Sequence, residues 1–343
     1  MDLYLSKPSY RFKPVRSISA LARSLRLNVK ILVTSGQAAN RNYRTVPPPV
    51  GSTRQTFDAQ GQLKEIHRRL KTVFFDNVTF PDYLHGSLKG CDYVSNARLH
   101  TNKQLLICED VKKFFPSITA DRIEDIWCGF FGFTPDVAAL LTKLTTKDGV
   151  LPQGAIPSSY LANLVLWRDE PLLHAKLNSM GITYSRYVDD MVMSSATYLT
   201  KETQTRIIRQ VYGMLSRNGL KASRAKHEIF SASKPMIATK LIVNRKPSLS
   251  QKKRSQVRAQ VHQIEIAQSS GAAPEIVREL ANKAAQQVGQ LGRFHRTQAS
   301  YLKNRVKAVR MSLPMEPRLA ISYPTVLQVL PPATLKTEAA PWD

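Results

Sequence analysis

The chain has 343 residues, of which 43% are hydrophobic, so it can bury a sizeable core and form two or three structural units. Its 50 Lys and Arg outnumber its 25 Asp and Glu, and the resulting formal charge of +25 indicates a polyanionic partner, nucleic acid before any other, against the alternative of a merely basic surface. No run approaches the ~18 apolar residues of a membrane span, and no apolar segment follows the basic N-terminus as it would in a secretory signal. The three cysteines form no Cys-x-x-Cys pair, which argues against a disulfide framework or a zinc site and favours the cytoplasm.

The N-terminal part of the chain predicts a helical lead-in, a loop and an amphipathic helix. Residues 1–40 are basic, and apolar residues recur there at helical spacing at Ile18, Leu21 and Leu25. Three prolines and a Gly-Ser pair within residues 47–52 predict a loop. Residues 62–75 predict a helix whose apolar face is formed by Leu63, Ile66, Leu70 and Val73.

The next predicted element is a buried strand at residues 104–111 that ends in acidic residues. A carboxylate at the end of an apolar strand is costly unless it is solvated or bound to a cation, which makes Asp110 a candidate ligand. Glu109 would point to the opposite face of the strand and is not expected to share that site. Asp121 is expected to cap a following helix that runs to about Phe131.

Residues 182–195 predict two short apolar strands on either side of a pair of acids. Asp189 and Asp190 would then lie at the tip of a hairpin, at the edge of a sheet. Two adjacent carboxylates resist ionisation together unless a cation joins them, and Mg²⁺ prefers oxygen ligands. An Asp-Asp pair by itself is more often an ordinary turn, so its weight depends on what else lies nearby.

The remaining elements are mostly helical. Residues 158–180 and 200–217 predict helices, the second ending near an Asn-Gly pair, and residues 241–243 predict a strand. From residue 250 to about 313 the chain is basic with helical spacing, which predicts a separate helical unit. The tail from Pro314 is rich in proline and is expected to pack irregularly or to be disordered.

If the strand that ends at Asp110 lies beside the hairpin, three carboxylates converge. This arrangement suits two Mg²⁺ ions that activate an attacking hydroxyl and stabilise a leaving pyrophosphate. A loop at residues 151–157, containing Gln153, precedes the helix and could lie against a bound nucleotide and template. The alternative for this segment is a simple loop with Ser158 or Ser159 as the helix cap.

These segments, taken in order, resemble the palm motifs of reverse transcriptases. The strand that ends at Asp110, with Phe-Phe-Pro-Ser-Ile after it, resembles the first catalytic motif. Leu-Pro-Gln-Gly at 151–154 and Tyr-Val-Asp-Asp at 187–190 resemble the next two, and Gly219-Leu220 with Lys226 resembles the one that follows. Four motifs in this order are far more specific than any one of them.

A finer resemblance is to the retron group of bacterial reverse transcriptases. Asn96-Ala97-Arg98-Leu99-His100 matches the Asn-Ala-x-x-His pattern of that group. Ala238-Thr239-Lys240-Leu241 stands where the group has Val-Thr-Gly-Leu, so only Thr239 and Leu241 match and a lysine replaces the glycine.

The resemblance implies roles for individual residues. Asp110 and Asp189 would bind both metal ions and Asp190 would assist, while Lys226 would protonate the pyrophosphate, with a solvated surface lysine as the alternative. Nucleotide contacts would come from Arg54 on the triphosphate, Gln153, and Phe115 as a ring that excludes a 2′-hydroxyl. An ordinary core position is the alternative for Phe115. Residues 45–53 lack the lysine that relatives often supply for the phosphates.

The resemblance and the charge together predict an RNA-binding surface. Lys252, Lys253, Arg254 and Arg258 group near the start of the C-terminal helical unit and suit a grip on an RNA backbone, with a solvated basic face as the alternative. Thr239, Asn96 and His100 would take part in RNA recognition or positioning. Asn96 and His100 could equally be structural.

The resemblance implies an α+β right-hand polymerase fold with fingers, a palm built on an antiparallel sheet, and a helical thumb. The predicted segments are a basic lead-in (1–40), fingers (41–105), first palm strand (106–120), fingers (121–155), palm (156–245), RNA-binding thumb (246–313) and Pro-rich tail (314–343).

The resemblance implies an RNA-directed DNA polymerase that uses deoxynucleotides to copy part of a cognate non-coding RNA into covalently linked single-stranded DNA (msDNA). It also implies a role in antiphage defence with a separate effector protein. Two alternatives remain: another bacterial reverse transcriptase, of the intron type or an untemplated defence polymerase, and a catalytically inactive RNA-binding scaffold. The intact Asp110, Asp189 and Asp190 argue against the scaffold.

Overall fold

The computed structural model describes residues 5–48, 51 and 54–314. The chain divides into two compact units, Met1–Ser255 and Gln256–Asp343. Within the described residues, no helix is long and apolar enough to cross a membrane.

The first unit contains ten strands and ten complete α-helices among its described residues. The strands are β1 (Ser9–Tyr10), β2 (Tyr43–Val46), β3 (Thr56–Ala59), β4 (Val78–Thr79), β5 (Leu105–Asp110), β6 (Ile182–Tyr187), β7 (Asp190–Ser195), β8 (Glu228–Ser231), β9 (Ile237–Ala238) and β10 (Leu241–Ile242). The helices are α1 (Ile18–Ser24), α2 (Val29–Gln37), α3 (Gly61–Val73), α4 (Tyr93–Leu99), α5 (Phe114–Ser117), α6 (Ala120–Asp125), α7 (Pro135–Thr145), α8 (Ser158–Leu164), α9 (Glu170–Ser179) and α10 (Lys201–Arg217).

A four-stranded antiparallel sheet in the order β6-β7-β5-β8 forms the centre of this unit. Its two central strands are mostly buried, and Leu106, Ile107 and Met193 are almost inaccessible to solvent. The register places Asp110 opposite Asp190, and Asp190 opposite Tyr187. The acidic ends of β5 and β7 therefore meet at one edge of the sheet, next to the end of β6.

An aromatic cluster packs the helices and the N-terminal strand together. Trp127 stacks on Phe131 and Phe133 with ring centroids 5.0 and 6.0 Å apart, and Tyr10 of β1 meets Phe131 edge-on at 4.9 Å. Such contacts stabilise the core beyond simple burial. They fix the scaffold that carries the sheet.

The second unit is helical. Helix α11 (Gln251–Ser269) crosses the boundary between the units, and α12 (Pro274–Gly292) and α13 (Arg296–Ser312) follow. Their buried faces repeat at helical spacing, with Val261, Ala284 and Leu302 nearly inaccessible. Arg305 of α13 forms a two-pronged ion pair with Glu265 of α11.

Most of the elements predicted from the sequence are present, with shifted ends. The helix predicted over 62–75 is α3, and those over 200–217 and 250–313 are α10 and α11–α13. The helix predicted over 158–180 is in fact two, because a turn at residues 165–169 separates α8 from α9. The strand predicted at 241–243 is the two-residue β10.

One capping prediction is wrong. Helix α6 begins at Ala120 with Thr119 as its N-cap, so Asp121 lies inside the first turn. There the carboxylate can still interact favourably with the positive end of the helix dipole, but it does not cap the helix. The α-helix ends at Asp125, and a π-helical turn carries the chain on to Phe130. Most of the predicted tail, residues 315–343, and part of the predicted loop at 47–52 lie outside the described residues.

Candidate active site

The β6–β7 hairpin presents Asp189 at its tip. Tyr187 pairs with Asp190, so Val188 and Asp189 form a two-residue turn. Val188 has a φ of +61°, in the left-handed region, as the first central residue of a type II′ turn requires. Glycine is the usual residue there, and a β-branched residue is strained, so this turn needs support from its surroundings.

Asp110 lies directly across from Asp190 on the neighbouring strand β5. The backbone N–H of Val111 donates to the carbonyl of Asp189 over 3.1 Å, which ties the end of β5 to the hairpin tip. The structure therefore brings together the three carboxylates that the sequence predicts at one place.

The pKa values of Asp189 and Asp190 are raised in this cluster. Burial, and then the charges of Asp189 and Asp110, raise the pKa of Asp190 to about 6. Burial also raises the pKa of Asp189, and the nearby positive charges of Arg54 and Lys226 oppose that rise. The cluster thus concentrates negative charge, which a bound cation would neutralise.

A divalent cation would fit this cluster by the chemistry of its donors. Among residues 5–48, 51 and 54–314, however, no group of three or more His, Cys, Asp or Glu side chains stands ready to hold a metal ion by itself. Mg²⁺ usually keeps several waters and takes further ligands from substrate phosphates, so a complete protein cage is not required.

Lys226 supplies positive charge to the cluster. It ends a short 3₁₀ turn, Arg224–Lys226, and its Nζ donates to Oδ2 of Asp110 over 2.7 Å. The lysine side chain is 54% exposed while that of Asp110 is 10% exposed, so the ammonium reaches the carboxylate from the solvent side.

Glu109 points to the other face of β5, as its place in the strand predicts. Its fully buried carboxylate accepts hydrogen bonds from Tyr212 over 3.1 Å and pairs with Nδ1 of His227 over 2.7 Å. Burial raises the pKa of Glu109, and His227 opposes that rise. Because His227 follows Lys226 directly, this contact also fixes the segment that carries the lysine.

Two phenylalanines follow β5 and differ in exposure. Phe114 is 3% exposed and belongs to the core, whereas Phe115 is only partly buried and meets it edge-on. The Phe115 ring is therefore partly open to solvent.

The loop that contains Gln153 packs against the hairpin formed by β2 and β3. The N–H of Phe57 donates to the carbonyl of Gln153 over 2.8 Å. Gly154 has a φ of +107°, and a Cβ there would lie 2.7 Å from the carbonyl oxygen of Phe57, so glycine is required. The contact connects this loop to the strand that follows Arg54.

Asn96 and His100 are fully buried, so direct contact of their side chains with RNA does not fit the structure. The two ring nitrogens of His100 lie 2.7 Å from the hydroxyls of Ser185 on β6 and Ser194 on β7. Ser185 donates to Oδ1 of Asn96. The motif therefore fastens α4 to the central sheet, which is the structural reading of the two that the sequence left open.

Burial lowers the pKa of His100 to about 3, which makes the ring neutral. Since the Ser185 hydroxyl donates to Asn96, it accepts from Nε2–H of His100, and Nδ1 accepts from Ser194. One neutral tautomer thus satisfies both ring nitrogens of His100, while Nδ2 of Asn96 is buried without a hydrogen-bond partner among the described residues.

Thr239 and Lys240 form the tip of the β9–β10 hairpin, with φ angles of +45° and +69°. The Thr239 hydroxyl donates to the carbonyl of Tyr93 over 2.9 Å, which holds the tip against the start of α4. Thr239 is therefore occupied by this contact and only partly exposed, while the Lys240 side chain is exposed.

The basic residues predicted to grip RNA lie on α11. Lys252 and Arg258 are exposed, and Lys253 and Arg254 are partly buried.

Sequence reasoning missed a buried ion pair beneath the hairpin. Arg186 on β6 and Glu170 on α9 are 0% and 2% exposed and meet over 2.6 Å. A signal was present, because an arginine within an otherwise apolar strand must have a partner, but the sequence does not identify which acid provides it.

Comparisons with known proteins agree with one another. Residues 46–267 match the family described as "Reverse transcriptase (RNA-dependent DNA polymerase)". The Retron Se72 reverse transcriptase of Salmonella heidelberg (strain 579083-10) is 33% identical over 309 residues, which cover 87% of this chain and 81% of the relative. The Retron Ec48 reverse transcriptase of Escherichia coli is 26% identical, with 87% and 77% covered.

Among solved structures, a telomerase from Candida albicans in complex with the TWJ fragment of telomeric RNA is similar to this chain with a TM-score of 0.40 and 9% identity. The match covers 73% of this chain and 47% of the telomerase chain.

Proposed function

The chain belongs to the retron-type reverse transcriptases, and from this membership we propose that it copies part of a structured non-coding RNA into DNA that stays covalently linked to that RNA. It is an RNA-directed DNA polymerase with a right-hand polymerase fold. The linked product is what distinguishes the proposal from generic reverse transcription, and it rests on the resemblance to retron enzymes.

The observation that carries the proposal at the level of the site is the meeting of three carboxylates at the ends of β5 and β7 and in the turn before β7. We assign Asp110 and Asp189 as ligands of two Mg²⁺ ions, with Asp190 assisting. Bound there, the ions would supply Lewis-acid chemistry for the attacking hydroxyl and the leaving pyrophosphate. The raised pKa values of Asp189 and Asp190 support this assignment, because burial and then neighbouring negative charges raise them, and a bound cation would oppose both effects.

The groups around the carboxylates would bind and orient the deoxynucleotide. Arg54, whose charge acts on Asp189, would hold the triphosphate, and a guanidinium can contact phosphate oxygens in two places. Phe115 would lie under the sugar and exclude a 2′-hydroxyl, and Gln153 would face the base pair from its glycine-dependent loop. Each contact would fix the α-phosphate for attack in line.

Lys226 would serve as the general acid. Its ammonium lies on Asp110 and is open to solvent on its other side, so it can reach a leaving pyrophosphate. Transfer of its proton to the pyrophosphate oxygen would leave a neutral amine, which solvent can protonate again.

RNA recognition would involve the basic face of α11 (Lys252, Lys253, Arg254 and Arg258) together with the hairpin that carries Thr239. Priming would start from the 2′-hydroxyl of an internal guanosine, as the resemblance to retron enzymes implies. The same resemblance motivates two further parts of the proposal, a cytoplasmic role in antiphage defence and a separate effector protein in a larger complex.

The decisive experiment is purification of the protein with its co-expressed RNA, followed by a search for DNA whose gel mobility changes after ribonuclease digestion. Covalently linked DNA is expected. DNA without an RNA link would favour an ordinary bacterial reverse transcriptase, and bound RNA without any DNA would favour a scaffold.

Asp189→Asn should abolish DNA synthesis and leave RNA binding within about twofold, because it removes a metal ligand and not a phosphate contact. Glu228→Gln, which changes an exposed acid on β8, is the matched control and should keep synthesis. Synthesis by the Asp189→Asn variant at the rate of this control would overturn the assignment of the metal site.

A further inference from the structure

Arg186 and Glu170 form an ion pair entirely inside the protein. Nε and Nη2 of Arg186 donate to the two carboxylate oxygens of Glu170 over 2.6 and 2.8 Å, and both side chains are almost inaccessible to solvent. Desolvation of two charges is expensive, so a buried pair is weak evidence for stability as such. The other groups that Arg186 binds must therefore explain why the pair is there.

The remaining N–H groups of Arg186 hold backbone carbonyls from two separate elements. Nη1 donates to Ala162 over 3.2 Å and to Val188 over 3.0 Å, and Nη2 also donates to Asn163 over 2.9 Å. Together with the two bonds to Glu170, these contacts use all five N–H groups of the guanidinium. Ala162 and Asn163 lie in the last turn of α8, where carbonyls lack partners within the helix.

The carbonyl of Val188 belongs to the strained turn. With its φ of +61°, this β-branched residue adopts a backbone conformation that persists only where its surroundings impose it. A hydrogen bond from Arg186 restrains the turn on one side. Gly86 restrains it on the other, since a Cβ at residue 86 would lie 2.6 Å from the backbone nitrogen of Val188.

Gly86 is itself fastened to α8. Its carbonyl accepts a hydrogen bond from Nδ2 of Asn163 over 2.7 Å, and the Asn163 carbonyl accepts from Arg186. The turn, α8 and the segment at Gly86 thus form one hydrogen-bonded unit centred on the guanidinium. Helix α8 begins directly after the loop that contains Gln153.

We propose that Arg186, held by Glu170, is a positioning residue that keeps Val188 in the left-handed conformation and thereby orients the carboxylates of Asp189 and Asp190 relative to α8. The proposal rests on the proposed function of these two carboxylates. Arg186 is buried beneath the turn and acts through Val188, without touching the nucleotide. Lysine cannot replace it, because a single ammonium has three N–H groups and no planar fork.

The test compares Arg186→Lys with the double variant Arg186→Lys/Val188→Gly. Arg186→Lys should lower kcat on poly(rA)–oligo(dT) with dTTP about 10-fold or more while the KM for dTTP changes about twofold or less. Glycine adopts positive φ freely, so the double variant should regain about 5- to 30-fold of the lost kcat. Mn²⁺ affinity, measured by electron paramagnetic resonance, should fall and recover in parallel.

Val211→Ala, in the core of α10, is the control for simple loss of stability. Addition of Val188→Gly to that variant should recover no kcat. Wild-type kcat in Arg186→Lys, or a double variant no faster than Arg186→Lys, would overturn the proposal. If Arg186→Lys does not fold, Glu170→Gln replaces it, with the same rescue by Val188→Gly expected and the same failure of rescue decisive.

The outcomes separate this proposal from the function on which it rests. An active Asp189→Asn variant would remove the proposed function itself. An inactive Asp189→Asn variant beside a fully active Arg186→Lys variant would remove only the role of Arg186.

Discussion

Asp190 starts strand β7 opposite Asp110, with Asp189 immediately before it, and its environment raises its pKa to about 6 from an ordinary 3.8. The folded protein therefore binds a proton that the unfolded chain has already lost as the pH rises from about 4 to 6. Above that range the ionised carboxylate makes folding less favourable, and this penalty shrinks as the pH falls from about 6 and is gone near pH 4. A site that holds repelling carboxylates at neutral pH is less stable than it could be, as is common at catalytic sites.

Asp190→Asn should stabilise the metal-free protein at pH 8 by roughly 1–3 kcal/mol and reduce DNA synthesis. The stabilisation should shrink toward zero near pH 4, since the wild-type carboxyl is then neutral. Thermal unfolding in EDTA across this range measures it, with Glu228→Gln as the control. An Asp190→Asn variant that is less stable than wild type at pH 8 would contradict the electrostatic account.

Lys240 has a backbone in the left-handed region, for which glycine is better suited than a residue with a side chain. Lys240→Gly should stabilise the protein by about 1 kcal/mol, measured by urea unfolding. Lys234→Gly removes the same charge from a nearby loop residue without positive φ, and it should be neutral or destabilising. Equal effects of the two substitutions would show that charge, and not backbone strain, determines the result.

At the scale of elements, the Asn96–His100 motif connects α4 to the central sheet by hydrogen bonds. Its polar side chains bond to serines on both β6 and β7 and lie out of reach of solvent. Because its folded pKa of about 3 is below the ordinary 6.5, His100 favours folding less as the pH falls from about 6.5 toward 3, when the unfolded chain gains the proton. This dependence is opposite in sign to that of Asp190.

His100→Ala should lower the free energy of unfolding by roughly 2–4 kcal/mol, because it leaves a cavity and buried hydroxyls without partners. RNA affinity of the folded variant, measured by filter binding well below its Tm, should change about twofold or less. Lys252→Ala, at an exposed position on α11, should do the reverse and weaken RNA binding without loss of stability. Weak RNA binding by a fully stable His100→Ala variant would restore a recognition role for the histidine.

The whole molecule carries a formal charge of +25, which is large for its length. Such an excess favours association with any polyanion and makes the affinity depend on salt, because bound phosphates release counterions. Sequence-independent attraction of this kind would bring RNA to the surface, while structured contacts would select the cognate RNA.

Affinity for a non-cognate RNA duplex should fall at least about 10-fold between ~50 and ~200 mM salt. A variant with glutamine at Lys252, Lys253, Arg254 and Arg258 should bind more weakly and show a smaller slope of log affinity against log salt, by about one unit for each phosphate that the protein no longer neutralises. Fluorescence anisotropy measures both. An unchanged slope would show that α11 does not contact the RNA backbone, and a flat wild-type response would contradict the electrostatic reading.

Local patterns in the sequence were sufficient to predict most of the longer helices and strands and the order of the motifs. Two short apolar runs on either side of a pair of acids at residues 182–195 predicted the β6–β7 hairpin, and the apolar run before Asp110 predicted β5. The N-cap of α6 and the break between α8 and α9 were not predicted, because short helices end where packing dictates and not where propensity alone would end them. The roles of the individual site residues stay predictions.

The sequence by itself determined the family, the α+β class and the three acids, since these depend on residue identity and on spacing along the chain. Only the tertiary structure decided which distant side chains meet. It placed Lys226 on Asp110, buried Asn96 and His100 beneath the sheet, and put Arg186 under the strained turn at Val188. The physical reason is that hydrogen bonds and desolvation act between groups that are close in space, and packing across many residues of chain sets that closeness.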